Sequence, residues 1–507
     1  MKKTLLAALA AALLSADALA GGLLTNTNQN VAFLRNPARD AVMAIDGVYT
    51  NPAGVAFLND GFHLSLNWQA AFQTRTIENT YAPFAANTEM GGNPSRTFKG
   101  KATAPVIPSI QAAFNRKKWS VQLNFAIGGG GGKCEFDKGL GSFEHMIAQT
   151  AAGIGQLAQG IDAVSALFGA APGLSSVYFP NAAGLSMPGY SYDSYMRGRQ
   201  YYFGLSLAAA RRITDNFSVS AGLRGVYASC NYYGYLRNIT VGNTPLAQML
   251  PGGADVELNC DQNAFGVTPI LSADFRTEDG KWNFAAKYEF RTRMRLKNQS
   301  VNNTPSVEEL PAALVGAGVP AAVLQTPQIA AGLSEFGEKF DTQLGEALGE
   351  FEDGKKVDGD IPALLTLGVE YAPVKPLRLD AGFHYYFDKQ AKAYGDRHKL
   401  LDSGTWEVLA GAEYDINKTF TVSAGWQKTQ YGTTDEYMDD KSFVVSSNTL
   451  GLGANIRVAP RVTLDVAYFH TFYQHKKTAT TEASGLVYTA DYTRSNNVVG
   501  VGVNISL

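Results

Sequence analysis

From Gly61 to the end of the chain at Leu507, one pattern recurs fourteen times: an apolar residue at every second position, with polar residues between. The first instance sets Phe62, Leu64, Leu66, Trp68, Ala70 and Phe72 against His63, Ser65, Asn67 and Gln69. Later ones set out Tyr201, Phe203, Leu205 and Leu207, and finally Val499, Val501, Val503, Ile505 and Leu507. A period of two is the period of a β-strand, and it gives each strand one apolar and one polar face. In a bilayer every backbone hydrogen bond must be met inside the protein, so strands that face lipid must close into a barrel. Fourteen is an even number, as a single-chain barrel requires. The expected fold is all-β: a 14-stranded antiparallel transmembrane β-barrel.

The connections give the orientation. Short links at residues 115–118, 213–216, 277–281, 372–376, 417–418 and 459–461 alternate with seven long ones. Short turns belong to the periplasmic side and long loops to the outside. The first twenty residues read as a signal peptide: Lys2 and Lys3, an apolar run from Leu5 to Leu14, and Ala18-Leu19-Ala20 as a cleavage site. Residues 21–60 lack the alternation and hold two Asn-Pro turns, yet carry too many apolar residues for a free arm. They are predicted to form an N-terminal plug (hatch) in the lumen, ahead of a barrel spanning residues 61–507. A net charge of −2 gives no support to nucleic-acid binding. The 52 glycines and 24 tyrosines suit thin-walled strands with interfacial aromatics.

One strand departs from the pattern. Trp119, Val121, Leu123, Phe125 and Ile127 alternate with Ser120, Gln122 and Asn124, and then Gly128, Gly129, Gly130, Gly131 and Gly132 follow in a row. Glycine packs no side chain and tolerates strained backbone, so such a run weakens a regular ladder. Two readings stand: a lateral gate between lumen and membrane, or a flexible start to a long surface loop.

A leader, a plug carrying Asn51-Pro52-Ala53, fourteen strands and a third strand broken by glycines together resemble the FadL/TodX family of outer-membrane transporters. The segment with Phe33-Leu34-Arg35-Asn36-Pro37-Ala38-Arg39 is similar to one branch of it. The resemblance implies passive uptake of long-chain fatty acids or other hydrophobic small molecules. It also implies substrate capture among the outer loops, plug movement, and sideways exit at the third strand into the outer leaflet. Outer-membrane lipid and lipopolysaccharide are then the surroundings, and a monomer is expected. Rival readings are a general diffusion porin, a structural or adhesive barrel, and a barrel enzyme using His63 and Ser65. The last requires lipid to reach a face that the plug occupies, so no catalytic residue and no enzyme activity is expected.

Two outer loops carry apolar residues near helical spacing: one with Phe143, Met146, Ile154 and Ile161, another with Ile329, Leu333, Phe336 and Phe340. They are expected to pack together and to frame a groove. Strand parity points Lys287, Glu289, Arg291, Arg293 and Arg295 inward, which makes the three arginines candidates for binding a carboxylate. Cys230 and Cys260 bracket one outer loop and are predicted to form a disulfide, leaving Cys134 over. No metal site and no cofactor are expected.

Overall fold

The computed structural model describes residues 30–250 and 253–507; the leader and residues 21–29 of the plug lie outside the described residues. The strands are β1 Gly61–Thr80, β2 Ser95–Arg116, β3 Trp119–Phe136, β4 Tyr190–Arg212 and β5 Phe217–Val241. Next come β6 Val256–Arg276, β7 Trp282–Glu289, β8 Leu364–Val374, β9 Leu377–Tyr386 and β10 Trp406–Asp415. Last are β11 Phe420–Gln430, β12 Ser447–Ala459, β13 Val462–Tyr473 and β14 Val487–Ser506. Short ribbons such as Arg295–Ser300, Lys356–Asp358 and Lys476–Thr481 carry the wall outward beyond the band. Neighbouring strands are antiparallel, and β1 pairs β14 from His63 opposite Ser506 to Thr80 opposite Thr489. The barrel of fourteen strands is therefore closed.

The alternation sorts side chains as the sequence predicts. Trp119, Val121, Phe203, Leu205 and Leu207 face outward, while Ser120, Gln122, Asn124 and Ser206 are buried inside. The outward apolar band on β4 runs from Arg211, whose guanidinium lies 5.1 Å from the Trp119 ring, up to Tyr201. At strand rise and barrel tilt that span is roughly 25 Å, the height of an outer-membrane apolar belt. The barrel therefore has the outward apolar band of one that spans a membrane. Inside, polar side chains link strand to strand. Asn67 donates to Gln111 at 3.0 Å, and Gln111 donates to Asn124 at 2.9 Å. Buried amides are cheap only when paired in this way.

Residues 30–60 lie within the barrel. They form a short helix, α1 Val31–Arg35, a single turn, α2 Gly47–Thr50, and a tight turn at Gly54–Phe57. Asn30 caps α1 through the Ala32 N–H, and its own amide donates to Ser65 and Gln111 of the wall. On the outside, the loop after β3 holds α3 Gly141–Leu167, and the loop before β8 holds α4 Leu310–Gly316, α5 Ala321–Leu324 and α6 Pro327–Leu348. α3 and α6 pack against each other, with Phe336 next to Gly153 and Leu157 next to Gly332 at ordinary contact distance.

Candidate functional site

The wall is incomplete at one place. β2 and β3 pair from Gly100 opposite Phe136 to Thr103 opposite Lys133, then not again until Ser109 opposite Ala126. Residues 104–108 of β2 and 127–132 of β3 have no ladder partner across that seam. On its other side β3 keeps hold of β4, with register shifts at Ile127, Gly129 and Gly132. Gly130 (φ +93°) and Gly132 (φ +72°) have backbones that other residues rarely adopt, and a Cβ at Gly130 would strike the Gln200 carbonyl 2.2 Å away. The glycines thus let β3 follow β4 while it leaves β2.

The β2 side has its own cause, which the sequence reading missed. Pro105 and Pro108 lie in the unpaired stretch and have no N–H to give. Pro105 and Val106 also lack partners on β1, where the register shifts between Gln69 and Ala71. Two prolines three apart inside an alternating strand were the available signal. A seam made this way leaves fewer unmet donors than the same gap between ordinary residues.

Asn51-Pro52-Ala53 ties the plug to the wall. Asn51 donates to Asp274 at 2.5 Å and accepts from the Gly54 N–H. Ala53 donates to Ser272 and accepts from Ser218. The Pro52 carbonyl accepts from Gln122 of β3 at 2.7 Å. Ion pairs fix the rest. Arg35 reaches Glu413 at 2.7 Å and Asp465 at 2.9 Å, while Arg39 reaches Asp46 at 2.7 Å and Glu413 at 2.6 Å. Asp40, His384 and Glu407 form a chain, with ring nitrogens 2.9 and 2.8 Å from the carboxylates. At the short-turn end of the barrel, beside the plug, a vestibule of about 710 Å³ is lined by charged side chains, among them Arg35, Asp46, Glu370 and Arg378.

The expected carboxylate cluster does not assemble. The strand is interrupted after Glu289, and the alternation resumes out of phase. Lys287 and Glu289 face inward, but beyond them Thr292, Met294 and Leu296 are buried while Arg293 and Arg295 are exposed. Arg291 lies 3.6 Å from Asp360, and Arg295 pairs with Asp358 at 2.9 Å. The inward cations lie elsewhere. Arg75 of β1 and Arg494 of β14 are opposite one another, on the inward parity, just above the seam. Arg494 donates to Gln73 at 3.2 Å and lies over the Tyr473 ring. Neither arginine has a carboxylate partner among the described residues, and the Nε of each is buried without an acceptor. Like charges placed directly across strands repel, so this pair is an arrangement that stability does not explain.

The disulfide is also corrected. Cys230 and Cys260 are free thiols. Cys260 stands opposite Tyr232, and Cys230 opposite Gln262, so the two are diagonal neighbours. A diagonal separation of about 7–8 Å exceeds the usual reach of a disulfide. Cys134 is likewise free. Between α3, α4, α6 and neighbouring loops lies an apolar cavity of about 50 Å³, lined by Ile154, Leu157, Ile161, Leu314, Phe336 and Phe340.

No protein-family model and no curated protein sequence matches the chain. Solved structures do. A FadL homologue from Pseudomonas aeruginosa aligns over 96% of this chain and 100% of its own, with a TM-score of 0.60 at 14% identity. The chain has the FadL-type fold. The P. putida toluene transporter TodX aligns over 98% of this chain and 99% of its own, with a TM-score of 0.51 at 12% identity. Agreement in shape over nearly the whole of both chains at such low identity means that the fold is shared while most side chains are not. The residues at the seam and in the lumen must therefore be read from this chain itself.

Proposed function

We propose that this protein is a passive outer-membrane channel for long-chain fatty acids or similar hydrophobic molecules, and that cargo leaves sideways between β2 and β3 into the outer leaflet. The observation that carries this reading is the missing ladder between Thr103 and Ser109 of β2 and their partners on β3. A closed barrel gains nothing from such a seam, because each lost strand pairing weakens the wall. A lateral path gives it a use.

The alternative route down the lumen favours polar cargo. It passes a plug held by buried ion pairs and a vestibule lined by charges. Each methylene kept in water there costs about 0.8 kcal/mol, so a long acyl chain is better served by the wall. Arg75 and Arg494 offer the carboxylate a charged anchor beside the seam while the chain turns outward. The cavity beneath the loop helices is smaller than the ~150 Å³ that accommodates a benzene ring. Capture from outside therefore begins with α3 and α6 parting. Gln122, which holds Pro52, places the plug in direct contact with β3 and lets plug movement act on the seam.

The test is uptake of a labelled long-chain fatty acid by cells that display the protein. Replacing the five glycines at positions 128–132 with alternating strand sequence, after equal surface folding is verified, should abolish uptake. Undiminished uptake by that variant would contradict lateral exit.

A further inference from the structure

The outer wall beside the seam carries a second pattern, which faces the membrane. Just above the apolar band, two rows of outward side chains cross β2, β3, β4 and β5. The lower row is Thr103, Lys133, Arg199 and Asn231; the upper is Lys101, Glu135, Arg197 and Tyr233. Four of the eight are cations and one is a carboxylate. Glu135 is already engaged, by Lys133 at 2.8 Å and the Tyr195 hydroxyl at 2.8 Å. Asp261 continues the lower row on β6 and accepts from Asn231 at 2.9 Å. Arg197 donates to Asn231 and lies 5.5 Å from the Tyr233 ring. Lys101 and Arg199 have no carboxylate partner among the described residues, and the Nε of Arg199 lacks an acceptor.

Directly below these rows the wall has a shallow, open depression. An open apolar groove of about 1110 Å³ runs down β4, β5 and β6, with Leu205, Leu223, Tyr227 and Phe265 on its sides and Gly225 in its floor. A cationic ledge above an apolar groove matches an amphiphile with an anionic head and several hydrocarbon tails. The height of the ledge, at the outer edge of the apolar band, is where lipid phosphates lie.

We propose that this face docks one molecule of a phosphorylated, multiply acylated glycolipid of the outer leaflet. Its phosphates rest on Lys101, Lys133 and Arg199, and its acyl chains lie in the groove below. Because Thr103 opposite Lys133 is the last pair before the seam, the bound lipid sits at the upper lip of the gap. The docking requires only the barrel in its membrane and does not depend on what the channel carries.

The test is native mass spectrometry of the full chain in a non-ionic detergent, titrated with bisphosphorylated lipid A and with its dephosphorylated form. The wild type should retain the phosphorylated lipid with a preference of roughly tenfold or more, weakening with salt. K133Q/R199Q should lose roughly 10- to 30-fold of that affinity, while R457Q, on β12 near the opposite end of the barrel, should lose none. Equal retention of both lipids, or an unaltered K133Q/R199Q, would overturn the proposal. Complete displacement by millimolar inorganic phosphate would do so too, since the groove would then contribute nothing. If gel mobility shows the double variant unfolded, R199Q and the salt titration of the wild type decide on the same criteria.

Discussion

The Gln122 side-chain amide donates a 2.7 Å hydrogen bond to the Pro52 carbonyl, so the plug is fastened to β3 on the same strand that opens a few residues later. Replacing Gln122 with Leu removes that donor and leaves the Pro52 carbonyl buried and unmet, at about 1–3 kcal/mol. The loss should appear as faster amide exchange across residues 51–58, with the barrel strands unchanged. Uptake should change as well. A variant with normal exchange in the plug would show that this bond does not hold it.

Glu413 carries two arginines from the plug, Arg35 at 2.7 Å and Arg39 at 2.6 Å. E413Q takes one of two countercharges from each guanidinium, leaving Arg35 with Asp465 and Arg39 with Asp46, so the cost falls below the about 3–5 kcal/mol of a buried charge left wholly unpaired. The wall keeps its ladder, so the expected outcome is release of the plug with the barrel intact. Limited proteolysis checks it: new cleavage within residues 30–60 and a protected barrel.

Arg75 and Arg494 face each other without an acid. R75L/R494L removes a repulsion as well as an anchor, so the barrel should be no less stable. Uptake of a fatty acid should fall roughly tenfold, the worth of a charge-assisted hydrogen bond, while uptake of the matching fatty alcohol should hold. Competition between labelled acid and alcohol measures this. An equal fall for both would leave the pair without a role in recognising a carboxylate.

Asp440, in the outer loop before β12, accepts from the Ser142 N–H at 2.6 Å and from the Tyr492 hydroxyl at 3.1 Å. Burial pushes its carboxyl up to about 6, and the neighbouring Asp439 charge adds to the effect. A carboxyl raised in the folded state binds its proton more tightly there than in the unfolded chain. Stability is therefore lost as pH rises from the ordinary carboxylate range, near 4, to about 6, and is level above that. The contact between this loop and the start of α3 should be firmer at pH 5 than at pH 7.5. Amide exchange at residues 142–147 reads it, and D440N should flatten that dependence.

Strand number and the weak third strand were legible because period-two alternation and a run of glycines are local properties. The ends of the lumen charges were not. Parity places Arg293 and Arg295 inward only if β7 runs unbroken, and the interruption after Glu289 reverses it. The reversal is built on contacts across strands: Gly266 leaves room for Thr292 and Met294, whose atoms a Cβ there would meet at 2.6 and 2.5 Å. No window along the chain shows that. Arg75 and Arg494 are far apart in sequence and meet only because the barrel closes. The cysteines failed for a related reason, since loop symmetry fixes which strands pair but not their register. Pro105 and Pro108 were visible and were passed over, because the glycines drew the break to β3 alone.

The most direct test staples the seam. A Cβ built on Gly132 would lie 3.4 Å from the Ala104 Cβ across the gap, about the spacing that a disulfide bridges. A cysteine at Gly132 (φ +72°) is strained, so A104C/G132C, with Cys134 replaced by Ser to prevent mispairing, is assayed oxidised and reduced once its reduced form is shown to fold and to take up fatty acid as the parent does. The expected result is loss of uptake under oxidation and recovery on reduction, in a barrel that stays folded throughout. Equal uptake in the two states, with the disulfide verified, would show that cargo does not leave between β2 and β3.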